Sequence, residues 1–143
     1  MKKITFVLFL VFIVTFSTKA QVVITIADNA TLEIKNGATL NAGGLELIPD
    51  YDYTINGPNH IERDFTAISI DGNESMARHY EMAEDLTVYE GSIVYNYDDA
   101  DMNGITHFAA LQILDTSGGS WMNYADEDSA DYTVTHAFAA AVQ

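Results

Sequence analysis

The stretch from Tyr89 to Gly104, YEGSIVYNYDDADMNG, limits the fold of this chain more than any other. Ile93, Tyr95 and Tyr97 alternate with Ser92, Val94 and Asn96. That period of two, in aromatic and β-branched residues, predicts a strand with one buried face. Gly91 allows a turn before it. The run Asp98-Asp99-Ala100-Asp101-Met102-Asn103-Gly104 is too acidic to enter a core, so the strand must end there. Asp99, Asp101, Asn103 and Gly104 also match the first half of a calcium loop, D-x-[DN]-x-[DN]-G. Oxygen ligands at alternate positions suit a hard cation, and the glycine permits the bend. A full loop of this kind needs a bidentate Glu at its twelfth position, and that position is Ala110. A solvated acidic turn is the preferred reading; calcium held by Asp99, Asp101 and Asn103 is the alternative.

Residues 1–20 have the layout of a secretory signal peptide. Lys2 and Lys3 supply the positive start, and Ile4 to Phe16 is an apolar run interrupted only by Thr5 and Thr15. Thr18-Lys19-Ala20 offers small residues for cleavage between Ala20 and Gln21. The run is shorter than the roughly 20 apolar residues that span a bilayer. The expectation is a signal-peptide helix, and a mature protein that is secreted or at the cell surface with no membrane span. The absence of Cys at the junction excludes lipid attachment there.

The full chain carries a formal net charge of −15. Cleavage would remove three lysines and no acid, leaving Lys35, Arg63 and Arg78 against 21 acids, or −18. A surface of that sign excludes nucleic acid and anionic membrane as partners, because both need a basic footprint. Crowded carboxylates also oppose compaction, which divalent cations would relieve. The chain has no Cys, so disulfides, thiolate metal sites and thiol redox chemistry are excluded. The 123 residues after Ala20 are enough for one domain held by its core alone.

Residues 21–47 form a distinct β-rich segment. Asn29-Ala30-Thr31-Leu32 recurs as Gly37-Ala38-Thr39-Leu40, eight residues on. Asn36-Gly37 and Gly43-Gly44 mark turns. Short strands between such turns suit the rungs of a β-solenoid or ordinary hairpins equally. Further strands are predicted at Tyr53–Ile55, His60–Ile70, Ala77–Met82, Thr106–Leu114, Trp121–Tyr124 and Tyr132–Phe138. Ile61, Phe65 and Ile68 are expected core contacts. Strands at near-regular spacing, with no long helix, imply an all-β fold, an antiparallel β-sandwich over residues 48–143.

These residues resemble the β-sandwich modules of large exported Bacteroidetes surface proteins, many of them type IX secretion cargo. The resemblance spans roughly residues 30–138. It rests on Gly44-Leu45-Glu46-Leu47-Ile48-Pro49 with Tyr53-Thr54, on Arg78-His79-Tyr80, on Tyr97 to Gly104, and on the single Trp121. It implies surface adhesion or a similar extracellular role and carries over no catalytic residues. The C-terminal sorting domain of such cargo is not found, and the sequence stops directly after a predicted strand. A fragment with neighbouring modules is therefore expected.

No G-x-S-x-G, H-E-x-x-H or glycine-rich phosphate loop occurs. His60, His79, His107 and His136 are dispersed, and read better as isolated histidines than as a zinc site. Abundant acids make any glycosidase-like pair weak evidence. The expectation is no enzyme and no cofactor beyond calcium. Many tyrosines and Trp121 could stack on a glycan, though filling the core is their commoner role. Trp121 with Tyr124 is the candidate glycan patch. Asn29-Ala30-Thr31 and Asn73-Glu74-Ser75 match an N-glycosylation acceptor and Asp128-Ser129-Ala130 a short O-glycosylation pattern, all weak signals. The function expected is a noncatalytic extracellular structural or adhesion module. A carbohydrate-binding module is the alternative, and a glycoside-active enzyme fragment comes third.

Overall fold

The computed structural model describes residues 21, 23–70, 72–86, 88–105, 110–115, 120–125 and 132–142. The expected signal helix lies outside them, as do His107 and the Asp128-Ser129-Ala130 pattern. The described chain is all-β, and every strand pair in it is antiparallel.

The eight-residue echo in the sequence becomes a folded-back ladder. Strands β1 (Val23–Ile26), β2 (Thr31–Ile34) and β3 (Leu40–Ala42) run outward, and the chain reverses at Gly43-Gly44. Strands β4 (Leu45–Pro49), β5 (Tyr53–Asn56) and β6 (Asn59–Asp64) return. Pairing joins β3 to β4, β2 to β5 and β1 to β6. The hydrogen-bonded ladders therefore run between outgoing and returning strands, not between consecutive rungs. Neither reading of residues 21–47 holds as it stands: β2 and β3, which flank Asn36-Gly37, do not pair with each other, and only the Gly43-Gly44 turn closes a hairpin, β3 with β4. The partners of β1 and β2 come from beyond residue 47, and those of β3 are Leu45 to Leu47.

An even period keeps the same face inward at each rung, because side chains alternate along a strand. Ile26, Ile34 and Ala42, each eight apart, are all buried. On the return, Leu47 stands opposite Leu40, Ile55 opposite Leu32 and Ile61 opposite Ile24. Directly opposed residues share a face, so both strands of each rung feed one apolar stripe. Burying a side chain of this size contributes roughly 1.5–3 kcal/mol.

Strand β10 (Tyr89–Asn96) is one of the two inner strands of a four-stranded sheet in the order β13-β10-β4-β3, with β13 at Thr133–Val142. Its alternation holds: Tyr89 and Ile93 are buried, and Tyr97 just beyond it is buried too. Ile93 lies between Leu47 and His136, and Tyr95 between Leu45 and Val134. At Gly91 the pairing with β13 slips by a bulge, and φ is +134°. A Cβ there would collide with the Ile48 carbonyl oxygen, so only glycine fits. Rings fill the seam beside it. Tyr89 meets Tyr53 edge-on at 5.0 Å, and Phe138 meets Tyr124 at 5.0 Å.

The predicted strand over His60–Ile70 is broken. After β6 ends at Asp64 the chain turns, and a two-residue strand β7 (Ser69–Ile70) pairs with β8 (Asn73–Glu74). Phe65 leaves the ladder to lie against guanidinium groups: Arg63 Cζ is 4.4 Å from its ring centre and Arg78 Cζ 5.9 Å. Strand β9 (His79–Met82) pairs with β6, two residues shorter than predicted. Strands β11 (Ala110–Asp115) and β12 (Ser120–Ala125) form a separate hairpin.

Candidate functional site

The acidic run after β10 folds into a single 3₁₀ turn, Asp99–Asp101. Asp98 caps it: its Oδ1 accepts the Ala100 N–H at 2.8 Å, and Asp101 Oδ2 accepts the Asp98 N–H at 2.9 Å. This reciprocal box satisfies amides that would otherwise be orphaned at the start of the turn. It also turns the Asp101 side chain inward, where it is 1 % exposed.

Asp101 is received there by Arg78. Arg78 Nη2 lies 2.6 Å from Asp101 Oδ2 and 3.7 Å from Asp98 Oδ2, and the Arg78 side chain is itself 9 % exposed. Arg78 Nη1 donates to the Asn96 carbonyl at 2.6 Å, and Tyr95 Oη donates to the Arg78 carbonyl at 2.8 Å. The Ala77 N–H donates to the Asp101 carbonyl at 2.8 Å, and Asn103 Nδ2 to the Ser75 carbonyl at 3.0 Å. The whole turn is thus docked on residues 75–78. Burial pushes the Tyr95 phenol well above its ordinary value, with the neighbouring Arg78 charge opposing.

The same cluster grips the reversal of the ladder. Tyr80 Oη donates to the Gly43 carbonyl at 2.7 Å, and Arg63 Nη1 donates to it at 2.5 Å. The Asn96 N–H and Nδ2 both donate to the Gly44 carbonyl, at 2.7 and 3.1 Å. Gly44 has φ +111°, and a Cβ there would sit 2.9 Å from Tyr80 Oη and 3.1 Å from Arg78 Nη1. Both arginines that follow Ala20 therefore act inside the fold. Lys35 stays on the surface with Glu33 at 2.5 Å and Asp52 at 2.8 Å.

Side chains of the three residues predicted as calcium ligands have three different partners. Asp99 Oδ1 accepts from Tyr132 Oη at 2.9 Å, Asp101 faces Arg78, and Asn103 donates to Ser75. That bond to Asp99 raises the Tyr132 phenol above its ordinary value. Among the described residues no three His, Asp or Glu side chains are grouped to hold a metal ion. Trp121 and Tyr124 lie three apart in β12, so they project from opposite faces of that strand. Tyr124 packs its ring on His136 at 4.7 Å and on Phe138 at 5.0 Å. His79 hydrogen-bonds through Nδ1 to the Thr66 carbonyl at 3.0 Å, and its Nε2 is 3.2 Å from Glu81 Oε1.

Two features escape the sequence reading. One is the Arg78–Asp101 pair, 23 residues apart in sequence. Its signal is indirect: a chain with so few cations placed one in the pattern Arg78-His79-Tyr80. The other is a shallow depression of about 310 Å³ lined by Tyr51, Asp52, Tyr53, Val88 and Glu90. Tyr51 is 67 % exposed and Val88 59 % exposed, the latter with φ +56°. Nothing local in either segment foretells their meeting. No protein-family model matches the chain, and no curated protein or solved structure matches it either.

Proposed function

We propose that this chain is a noncatalytic extracellular structural or adhesion module of an exported bacterial surface protein. Its antiparallel strands would close as a β-sandwich, with the ladder of residues 21–47 and its partners as one end. The supporting observation is the Arg78–Asp101 pair with its surrounding bonds. Ionic groups that an enzyme would present to a substrate are here turned inward to join Arg78 to residues 96–101, and Asn96 in turn holds the Gly44 carbonyl. A buried pair of this kind fixes geometry more than it adds stability. Such rigidity suits a module that bears load or presents a surface. The test is calorimetric and thermal: calcium added to the mature protein, beside an Asp99→Ala variant that leaves the buried Arg78–Asp101 pair intact. Heat of binding and a raised melting temperature in the wild type alone would favour a calcium-assisted module. No response in either chain leaves the structural reading without calcium.

A second reading, a carbohydrate-binding module, is favoured by one observation. The exposed ring of Tyr51 stands beside Asp52 and Glu90 in the depression. An aromatic face with carboxylates at its rim is the chemistry that stacks on a sugar and bonds its hydroxyls. A glycan array gives a hit that Tyr51→Ala abolishes if this reading holds. A hit abolished by Trp121→Ala instead would move the site to β12.

A further inference from the structure

We infer that Asn36 is a built-in ageing site, the position where the folded protein first loses a side-chain amide to become aspartate or isoaspartate. The chain has three Asn-Gly steps, at 36–37, 56–57 and 103–104. At each the same reaction is open. The glycine amide nitrogen attacks the asparagine Cγ, a C–N bond forms, the Cγ–Nδ2 bond breaks, and ammonia leaves with the displaced proton. Water then opens the cyclic imide at either carbonyl. Glycine favours this because no side chain shields its amide. By sequence the three steps are nearly equivalent; the fold makes them unequal.

At the second step the nucleophile is occupied. The Gly57 N–H donates to the Ala30 carbonyl at 2.9 Å, and the space beside Gly57 is filled by the backbone of Ala27. Asn56 itself is held in β5 opposite Thr31. At the third step the leaving group is anchored: Asn103 Nδ2 donates to the Ser75 carbonyl at 3.0 Å, and the residue is held at φ +46°. The first step has neither restraint. Asn36 is exposed in the turn between β2 and β3. Its backbone N–H donates to Asp52 Oδ1 at 2.9 Å. Its side-chain amide and the Gly37 N–H have no hydrogen-bond partner among the described residues, and a Cβ on Gly37 would meet nothing within 4 Å.

The product matters where it forms. A new carboxylate at 36 stands beside Asp52 and competes for Lys35, and isoaspartate adds a backbone atom to the turn. Asp52 lines the depression, so conversion alters charge at its rim.

The mature protein is incubated folded at mildly alkaline pH, beside a sample unfolded in urea, and both are followed by peptide mapping with mass spectrometry. In the folded sample, conversion at Asn36 runs several-fold ahead of Asn56 and Asn103; in urea the three rates converge. Asn36→Gln removes the first acidic species seen on ion exchange of the folded protein. Conversion at Asn56 or Asn103 matching that at Asn36 in the folded sample overturns the inference. So does a folded sample in which Asn36 stays intact while the urea sample converts.

Discussion

The carboxyl group of Asp101 shows how much one side chain can decide here. It caps the 3₁₀ turn, pairs with Arg78 and sits out of water. Removing it strands a guanidinium that is 9 % exposed. Asp101→Ala is expected to lower stability by about 3–5 kcal/mol, the usual cost of breaking a buried pair on one side. Urea unfolding measures this, and a loss below about 1 kcal/mol would mean that water reaches the site. Tyr97 offers the opposite case. Its Oη is buried with no hydrogen-bond partner among the described residues. Tyr97→Phe removes an unsatisfied hydroxyl and is expected to leave stability unchanged or raise it by about 1 kcal/mol. A clear loss in the same urea experiment would reveal a partner for that oxygen.

Among the elements, β10 was the most legible in the sequence and the ladder the least. The alternation in β10 comes from its own residues, so period alone located it and its inward face. Ladder partners are set by distant pairing, which a self-match of four residues cannot specify. The repeat was visible, and so were strands at Tyr53–Ile55 and from His60 onward; that these return to pair with the repeat was not. Likewise two arginines meet Phe65 just past the break after Asp64, and no local pattern encodes that meeting. The candidate site was legible only as chemistry. Asp99, Asp101 and Asn103 could be named, but not the partners toward which each turns. At Gly91 the bulge and the close approach of Ile48 make a specific demand. Gly91→Ala is expected to lower the melting temperature, with about 1–3 kcal/mol lost to backbone strain before any clash is counted. An unchanged melting temperature would show that β10 can shift against β4.

For the whole molecule, charge and burial set the response to solvent. With both arginines engaged internally, the outer surface is dominated by carboxylates that repel one another. Raising salt from about 0.01 M to about 0.5 M shortens the screening length severalfold and should raise the melting temperature. A flat or falling melting temperature would mean that the acids are well dispersed or that the internal ion pairs dominate. At the alkaline end, burial raises the phenols of Tyr53 and Tyr89 to about 12. A folded-state value above the unfolded one means that the folded chain holds the proton longer. This contribution to stability is fully present below about pH 10 and is lost as pH climbs towards 12. Unfolding should therefore set in within that window, seen as a jump in phenolate absorbance together with loss of the β-sheet circular-dichroism signal. Ionisation of every tyrosine near pH 10 with the sheet signal intact would contradict the burial of these rings.

The folded-back ladder also restricts how such a protein can grow. In a spiral of stacked coils one extra turn is a single insertion, complete in itself. Here each level is made by two stretches that the chain visits on its way out and on its way home. Adding a level takes two matched insertions, flanking the Gly43-Gly44 reversal at equal depth. Either insertion alone would leave an unmatched edge, so lengthening by small steps is discouraged and duplication of the entire arm is the easier path.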